Sequence, residues 1–193
     1  LIELARSQFP QKEVQEKAQV AYIYGFIIDR LRAYLRDQAI AGKPFTSAEI
    51  DAVLSQSPAQ IYDLIERLTA LREFNALAQA PQLAAANKRI SNILKKNATA
   101  IPATCSSKLL QVPAEIVLHQ ALESITPALT SAYEKRQFVD LLKALVALST
   151  PIDQFFADVM VMDPDPALRD NRLALLQQLH HQMNLVADLG TLA

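Results

Sequence analysis

Residues 81–96, PQLAAANKRISNILKK, are the segment of this 193-residue chain that decides its fold class. The apolar residues of this segment recur three and four positions apart, which is the spacing of one face of an α-helix. They are Leu83, Ala86, Ile90, Ile93 and Leu94. The proline stands at the start, where a helix needs no backbone N–H donor. The spacing therefore predicts an amphipathic helix with a core face, and the basic residues of the segment fall mostly outside that face.

Apolar stripes of the same kind fill most of the remaining chain. The composition agrees with them, because 51% of the residues are hydrophobic, Ala and Leu dominate, and only 3 residues are Gly. We predict an all-α fold, an antiparallel bundle of about seven or eight helices with mostly short connections. The stripes outside the first segment include Ile23, Tyr34, Leu35, Ile61, Leu64, Ile65, Leu68, Leu71, Ile116, Leu118, Leu122, Leu129, Phe138, Leu141, Leu145, Leu176, Leu179 and Met183.

Capping residues and prolines place the ends of the predicted helices. The other helices run from about 11 to 40, from Ser47, from Ser57-Pro58, from Pro113, across 138–148, from Thr150-Pro151 and from about 166 to 188. Pro127 falls inside one of them and should kink or break it, because proline removes a helical hydrogen bond. Gly190 should end the last helix.

Residues 97–112 lack helical periodicity and contain several Ser, Thr and Pro residues, so they are predicted to form a surface loop. We interpret 1–193 as a single helical domain with a possible sub-boundary in this loop. The chain starts at Leu1 inside a helix-like pattern, and we expect it to be a fragment of a longer subunit. No membrane-spanning run or secretory leader pattern is found. The single Cys105 excludes an intramolecular disulfide and suits a reducing cytoplasm.

Few residues could contribute to catalysis, and we predict no catalytic residue and no metal site. The sequence has no glycine-rich nucleotide-binding motif and no zinc-finger spacing. Cys105 falls in the predicted loop and is interpreted as a bystander thiol. His119 and Glu123 are four residues apart and could share a helix face, but two ligands leave a metal centre incomplete. His180 and His181 adjoin on a helix, point about 100° apart and cannot act together on one ligand.

Clusters of basic residues are the strongest candidates for a binding surface. The formal net charge is −1, so contact with nucleic acid would have to come from local clusters of positive charge. The larger cluster consists of Lys88, Arg89, Lys95 and Lys96, with Asn87, Ser91 and Asn92 among them. Its cations align along two helical turns, and its amides and hydroxyl could read bases or sugars. The smaller cluster consists of Arg30, Arg32 and Arg36. An ordinary solvated face is the alternative for both.

Several segments resemble the bacterial glycyl-tRNA synthetase β-subunit family. The segment 83–95 is similar to that family's N-K-R-[VI]-x-N-I-L motif. Residues 155–162, FFADVMVM, and 168–176, LRDNRLALL, resemble its F-F-x-x-V-M-V-M and L-R-x-N-R-L-x-L-L motifs, and 186–189, VADL, resembles its V-A-D-[IL] motif. The segments 29–32, 50–54 and 67–71 fall in the family's order. The second and third motifs are also similar to the helical anticodon-binding domain of arginyl-tRNA synthetase and related class I synthetases.

The resemblance implies a non-catalytic domain that binds the anticodon region of glycine tRNA. The whole protein would be an ATP-using glycine–tRNA ligase whose catalytic site lies in a separate α subunit. The implied partners are glycine tRNA and that α subunit, without membrane or DNA, in a bacterial cytoplasm or plastid stroma. No cofactor is expected in this segment. The residues expected to contact RNA, by the motif or by charge and position, are Lys88, Arg89, Asn92, Lys95, Lys96, Arg30 and Arg32.

Two alternatives to RNA binding stay open. One is a helical scaffold for protein contacts, without direct RNA contact, whose charged faces are solvated, as the net charge of −1 permits. The other is an enzyme built on His119 and Glu123, which would need a bound metal or cofactor. Arg169 and Arg172 match the L-R-x-N-R-L motif, but neighbouring aspartates suit local salt bridges, and a structural role is favoured for both arginines.

Overall fold

The computed structural model of the protein describes residues 16–37, 39–40, 42–56, 61–97 and 100–193. The chain divides into two compact units, Leu1–Ile50 and Asp51–Ala193. This division does not fall in the loop 97–112, where the sequence suggested a possible sub-boundary. The interpretation of 1–193 as a single domain stays a prediction.

The first unit contains helix α1, Glu16–Arg36, and a short antiparallel pair of strands, β1 (Ala39–Ile40) and β2 (Lys43–Pro44). Gly42 between them has a φ of 75°, a left-handed conformation that glycine adopts readily. The helix predicted to reach residue 40 therefore ends at Arg36, because the chain turns back into this hairpin. The predicted start near residue 11 lies outside the described residues.

Helix α2, Ser47–Leu54, begins at the predicted residue, although the cap is Thr46. The Thr46 hydroxyl accepts a hydrogen bond from the Glu49 N–H at 3.2 Å, and a Glu49 carboxylate oxygen accepts one from the Thr46 N–H at 2.7 Å. This reciprocal pattern is a capping box, which satisfies two N–H groups that the first turn would leave unpaired. The division between the two units falls inside α2.

The second unit contains the remaining helices of the described chain. They are α3 (Leu64–Asn75), α4 (Ala80–Lys96), α5 (Pro113–Glu134), α6 (Phe138–Ala144), α7 (Ser149–Asp158) and α8 (Pro166–Met183). Short 3₁₀ helices lie at Ile61–Asp63, Ser107–Leu109, Leu145–Leu148 and Leu189–Leu192. With α1 and α2, the described residues form eight α-helices, which confirms the predicted all-α fold. None of these helices combines the length and apolar composition that a membrane span requires.

The structure agrees with some of the predictions about helix starts, ends and breaks and differs from others. The Asp165 carboxylate accepts a hydrogen bond from the Ala167 N–H at 2.8 Å, which confirms the predicted start of α8. Pro127 was predicted to kink or break its helix, and it does not break it, because α5 continues through this exposed proline. The end of α8 was predicted about five residues too late, since the chain leaves the helix after Met183. The predicted cap at residues 57–58 lies outside the described residues.

The inward faces of α3 and α5 differ from the hydrophobic pattern. Leu64, Leu68 and Leu71 are buried as predicted, but Ile61 and Ile65 are 43% and 40% exposed. Ile116 of α5 is 38% exposed, and in α1 the predicted stripe residues Ile23 and Tyr34 are also exposed. Polar residues take inward positions instead, which hydrophobicity alone cannot indicate. They include Asp63, Arg67, Asn87, Glu115 and Arg172.

Arg67 lies at the centre of the second unit and is 4% exposed. Its Nε and Nη2 donate to the two carboxylate oxygens of Asp63 at 2.9 and 3.0 Å, and Asp63 is 1% exposed. Its Nη1 donates to the carbonyl oxygen of Leu185 at 2.9 Å. The guanidinium also lies 4.5 Å from the centre of the Phe138 ring. Burial by itself lowers the pKa of Arg67, but hydrogen bonds to Asp63 and Tyr133 outweigh it, and the pKa is raised.

Arg172 of α8 makes a second buried ion pair, and its structural role follows from its contacts. The guanidinium Nε donates to a carboxylate oxygen of Glu115, which is 1% exposed. Its Nη1 donates to the Met160 carbonyl oxygen at 2.9 Å and to Asp163 at 2.6 Å. Arg172 therefore joins α5, α8 and the segment that connects α7 to α8. Arg169 is more exposed and pairs with its neighbour Asp170 at 3.2 Å.

Candidate nucleic-acid interface

Helix α4 carries a shallow groove of about 430 Å³ on its outer face, which we name the basic groove. Its lining residues are Ala85, Lys88, Arg89, Asn92, Ile93, Lys96 and Ala193. Their spacing of three and four residues places most of them on one helical face. Four of the five α4 residues predicted to contact RNA thus lie together. These four residues share one surface in the structure. Their contact with RNA stays a prediction.

The basic groove concentrates positive charge. None of its described lining side chains is acidic, and Arg89 and Lys96 form no ion pair with any residue in the described ranges. The Lys88 Nζ donates a hydrogen bond to a main-chain oxygen of Ala193, the last residue of the printed sequence, at 2.7 Å. The Arg89 guanidinium lies 4.0 Å from the centre of the Phe156 ring, a cation–π contact that holds it without neutralising its charge. Phosphate oxygens are the chemical groups that such a surface attracts.

The other predicted contact residues do not line this groove. Lys95 follows Lys88 by two helical turns but does not line the groove, and it lies near His180 of α8. Burial lowers the pKa of His180 and outweighs the charge of Asp188, which raises it, while the charge of Lys95 lowers it further. Arg30 and Arg32 belong to the first unit. Arg32 pairs with Asp29 at 2.9 Å, and the Arg30 guanidinium lies 5.1 Å from the centre of the Phe26 ring. Their contact with RNA stays a prediction.

Asn87 has a structural role, and its interpretation as an exposed base-reading residue is wrong. It is completely buried on the inner side of α4. Its Nδ2 donates to Asn184 Oδ1 at 2.8 Å, and Asn184 Nδ2 donates back to Asn87 Oδ1 at 3.1 Å. This reciprocal amide pair fixes α4 to the segment that follows α8. Sequence reasoning missed the pair because its members are 97 residues apart.

The segment after α8 packs closely against α4 behind the basic groove. Val186 and Leu189 are fully buried, and the Asn184 Oδ1 also accepts a hydrogen bond from the Leu189 N–H at 3.2 Å. A Cβ atom added to Gly190 would lie 3.3 Å from the backbone nitrogen and Cα of Lys88. Gly190 therefore permits a close approach of two backbones, although it does not end a helix at this position.

The buried amide pair gives a first testable prediction. We expect Asn87→Leu to lower the free energy of unfolding by about 2 kcal/mol, because Asn184 loses its buried partner. Urea denaturation followed by circular dichroism measures this change. Asn92→Leu on the exposed side of the same helix is the matched control and should change it by less than about 0.5 kcal/mol. Equal effects of the two substitutions would contradict the structural role of Asn87.

The catalytic candidates Cys105, His119 and Glu123 line one depression of about 470 Å³. Burial raises the pKa of the Cys105 thiol to about 11, so the thiol is protonated near neutral pH, as a bystander residue would be. The His119 Nδ1 lies 3.3 Å from a carboxylate oxygen of Glu123, a helix-surface pair. Among the residues that the structure describes, no three His, Cys, Asp or Glu side chains form a potential metal site.

Comparison with known protein families identifies this arrangement of helices. Residues 83–189 match the model of the DALR anticodon binding domain, and the matched segment is just over half of the chain. This chain belongs to the DALR anticodon-binding domain family. The match takes in nearly all of α4 and continues through α8 to Leu189. The DALR region therefore includes the Asn87–Asn184 pair and every lining residue of the basic groove except Ala193, whereas Arg30 and Arg32 lie outside it.

Several curated proteins are similar to the chain over most of its length. A glycine–tRNA ligase β subunit from Dechloromonas aromatica (strain RCB) is 46% identical over 177 residues, covering 92% of this chain and 24% of the relative. The β subunit from Ralstonia nicotianae is 48% identical over the same length and coverage. The β subunit from Methylobacillus flagellatus is 46% identical over all 193 residues, which are 26% of that relative. These matches confirm the resemblance drawn from the sequence motifs.

The chain spans about a quarter of the length of the curated relatives it matches. The similarity therefore concerns one part of those β subunits. The matching part contains the DALR domain, and the remaining three quarters of each relative has no counterpart in the 193 residues.

Proposed function

We propose that the DALR domain of this chain binds the anticodon region of glycine tRNA. The observation that carries the proposal is the basic groove, where Lys88, Arg89 and Lys96 converge without an acidic side chain among the described lining residues. The family description names anticodon binding, and the relatives are named as β subunits of glycine–tRNA ligase. Together these findings favour an RNA ligand over an acidic protein surface.

Each residue of the basic groove has a chemical role in this proposal. Lys88 and Lys96 act as point charges for phosphate oxygens. Arg89 offers several N–H donors and a flat guanidinium that can stack on an RNA base. Asn92 supplies an amide that can bond a sugar hydroxyl or a base edge. The surface would supply binding energy and orientation, while covalent chemistry takes place elsewhere.

The proposal extends to the assembly in which the domain works. The domain would be part of a glycine–tRNA ligase β subunit that associates with a separate catalytic α subunit, in a bacterial cytoplasm. The segment would need no cofactor, because its task is to bind RNA. The name β subunit of the relatives supports a partner subunit, and their high identity to this chain supports the same arrangement here.

The decisive test is a titration of labelled glycine tRNA with the chain and with a Lys88→Glu/Arg89→Glu variant. We expect the wild type to prefer glycine tRNA over a non-cognate tRNA. The double reversal should lower the affinity by roughly 10- to 100-fold, since it replaces two attractive phosphate contacts with repulsive ones. It should also make the affinity less dependent on salt, because fewer counterions are released on binding.

A Lys108→Glu/Lys135→Glu variant is the matched control for this experiment. It makes the same change in net charge at two exposed lysines that do not line the basic groove. We expect it to retain most of the wild-type affinity, while circular dichroism shows that both variants remain helical. If both double variants lose binding equally, the groove is not the site. If the wild type binds no tRNA even at low salt, the scaffold alternative replaces RNA binding.

A further inference from the structure

A second depression adjoins the basic groove at Arg89 and lies between α4 and α7. It has a volume of about 440 Å³, and we name it the Asp153 pocket. The residues that matter for its chemistry are Gln82, Ala85, Arg89, Asp153 and Phe156. Ala85 and Arg89 also line the basic groove, so the two depressions share a wall. A ligand that follows the groove can therefore extend a group into this pocket.

The pocket contains a fixed flat surface. The Arg89 guanidinium lies 4.0 Å from the centre of the half-buried Phe156 ring. The Phe156 ring in turn packs edge-on against Phe155, with 5.5 Å between ring centres, and Phe155 is fully buried. One face of the guanidinium is thus held by the protein, while the Arg89 side chain remains exposed. Unpaired bases of RNA stack on such guanidinium planes.

The opposite side of the pocket offers hydrogen-bond acceptors. The Gln82 amide nitrogen donates to one carboxylate oxygen of Asp153. The second Asp153 oxygen and the Gln82 carbonyl oxygen can still accept hydrogen bonds. Asp153 is exposed and forms no ion pair with any residue in the described parts of the chain.

The charges of the two depressions select different parts of a nucleotide. The basic groove attracts phosphate, whereas the carboxylate of Asp153 repels it. A carboxylate accepts hydrogen bonds from an amino group of a base, such as the N4 amino group of cytosine. Uracil presents a carbonyl oxygen at that position, which the carboxylate would face unfavourably. A phosphate in the groove and an amino-bearing base in the pocket would therefore be bound together.

We propose that the Asp153 pocket binds one unpaired base that has an exocyclic amino group. The base stacks on the free face of Arg89 and donates an amino hydrogen to Asp153, while an adjacent phosphate lies in the basic groove. This inference rests on the proposed function, and it assigns base selectivity to Asp153, with Phe156 as the positioning residue for Arg89.

The test uses the chain and a series of glycine tRNAs. In each tRNA, one amino-bearing base of the anticodon loop is replaced by a counterpart that lacks the amino group, namely uracil for cytosine or hypoxanthine for adenine or guanine. We expect one replacement to weaken wild-type binding by roughly 5- to 100-fold. The selectivity ratio is the affinity for the original tRNA divided by the affinity for the replaced one. Asp153→Asn should reduce the selectivity ratio severalfold, because an amide can also donate to a base carbonyl. Arg89→Lys should also reduce the selectivity ratio, because lysine keeps the positive charge but has no flat guanidinium on which a base can stack.

Asp158→Asn is the matched control, because it removes the same charge from an exposed position of α7 that does not line the Asp153 pocket. We expect Asp158→Asn to discriminate between the original and the replaced tRNA as strongly as the wild type does. If the wild type binds tRNA through Lys88 and Arg89 but Asp153→Asn discriminates between the RNAs as the wild type does, the pocket is not the base reader and the proposed function stands. If the wild type binds none of the RNAs, both proposals fail.

Discussion

Replacement of Arg67 by Ala is expected to lower the free energy of unfolding by about 3 to 5 kcal/mol. The substitution leaves the carboxylate of Asp63, which is 1% exposed, without its bidentate partner. The substitution also removes the 2.9 Å hydrogen bond from Arg67 Nη1 to the carbonyl oxygen of Leu185. It leaves the space next to the Phe138 ring empty. An unpaired buried charge is the largest of these three costs.

Chemical denaturation of the chain and the variant measures this loss. Lys143→Ala is the matched control, because Lys143 forms an exposed ion pair with Glu73 of the same helix α3 at 3.2 Å. Exposed pairs contribute little, so the control should lose less than about 1 kcal/mol. The double variant Asp63→Leu/Arg67→Met should recover much of the loss, because it removes both buried charges. A loss below about 1 kcal/mol in Arg67→Ala would contradict the buried pair.

Arg172→Ala should also be strongly destabilising, by about 3 kcal/mol. Glu115 loses the cation that its buried carboxylate pairs with, although it keeps hydrogen bonds from the N–H groups of Gln111 and Val112 at 2.8 and 3.0 Å. These remaining donors make the expected loss smaller than that of Arg67→Ala. The carbonyl oxygen of Met160 also loses its donor, so the connection between α7 and α8 becomes less tightly held.

The second arginine of the same motif separates structural from RNA-binding roles. Arg169 is partly exposed and pairs with Asp170 at 3.2 Å, so Arg169→Ala should lower the free energy of unfolding by less than about 1 kcal/mol. Thermal and urea denaturation of the two variants test the difference. Equal stability of Arg172→Ala and the wild type, together with weaker tRNA binding, would instead make Arg172 a contact residue.

The local features of the fold were predictable because neighbouring residues determine them. The proline after Asp165 and the capping carboxylate of Asp165 mark the start of α8 without reference to any other helix. The apolar spacing of 138–148 likewise predicts a buried face, and Phe138, Leu141 and Leu145 are buried. Helix ends were less predictable, since the hairpin at Gly42 and the amide of Asn184 depend on residues that follow each helix.

Buried polar residues account for most of the differences between the predicted and the observed core. Hydrophobicity assigns Arg67 and Asn87 to the surface, but both find partners that are distant in sequence. Arg67 of α3 and Asp63 just before this helix are buried on its inner side, whereas Ile65 on the opposite side is 40% exposed. A pattern within one helix cannot reveal a partner on another element, so these residues became visible only in the packed structure.

The sequence also predicts only part of the candidate site. Helical spacing along α4 predicted that Lys88, Arg89, Lys95 and Lys96 align along two turns, and three of these four line the basic groove. It could not show that Lys95 lies outside this groove and near His180, because that depends on how α8 packs. The Asp153 pocket was also hidden, since Asp153 and Phe156 reach Arg89 only through the packing of α7 against α4.

The hydrogen bond from Arg67 to Leu185 sets an order of events on the ribosome. The two residues are 118 positions apart, so Leu185 is added roughly 6 to 24 s after Arg67 when synthesis adds about 5 to 20 residues per second. During this interval the nascent chain can form α3 and the Asp63–Arg67 pair, but the carbonyl partner of the arginine does not yet exist. The second unit can reach its native packing only after residues 184–189 leave the exit tunnel, and until then the apolar surface that they cover is exposed and prone to aggregation.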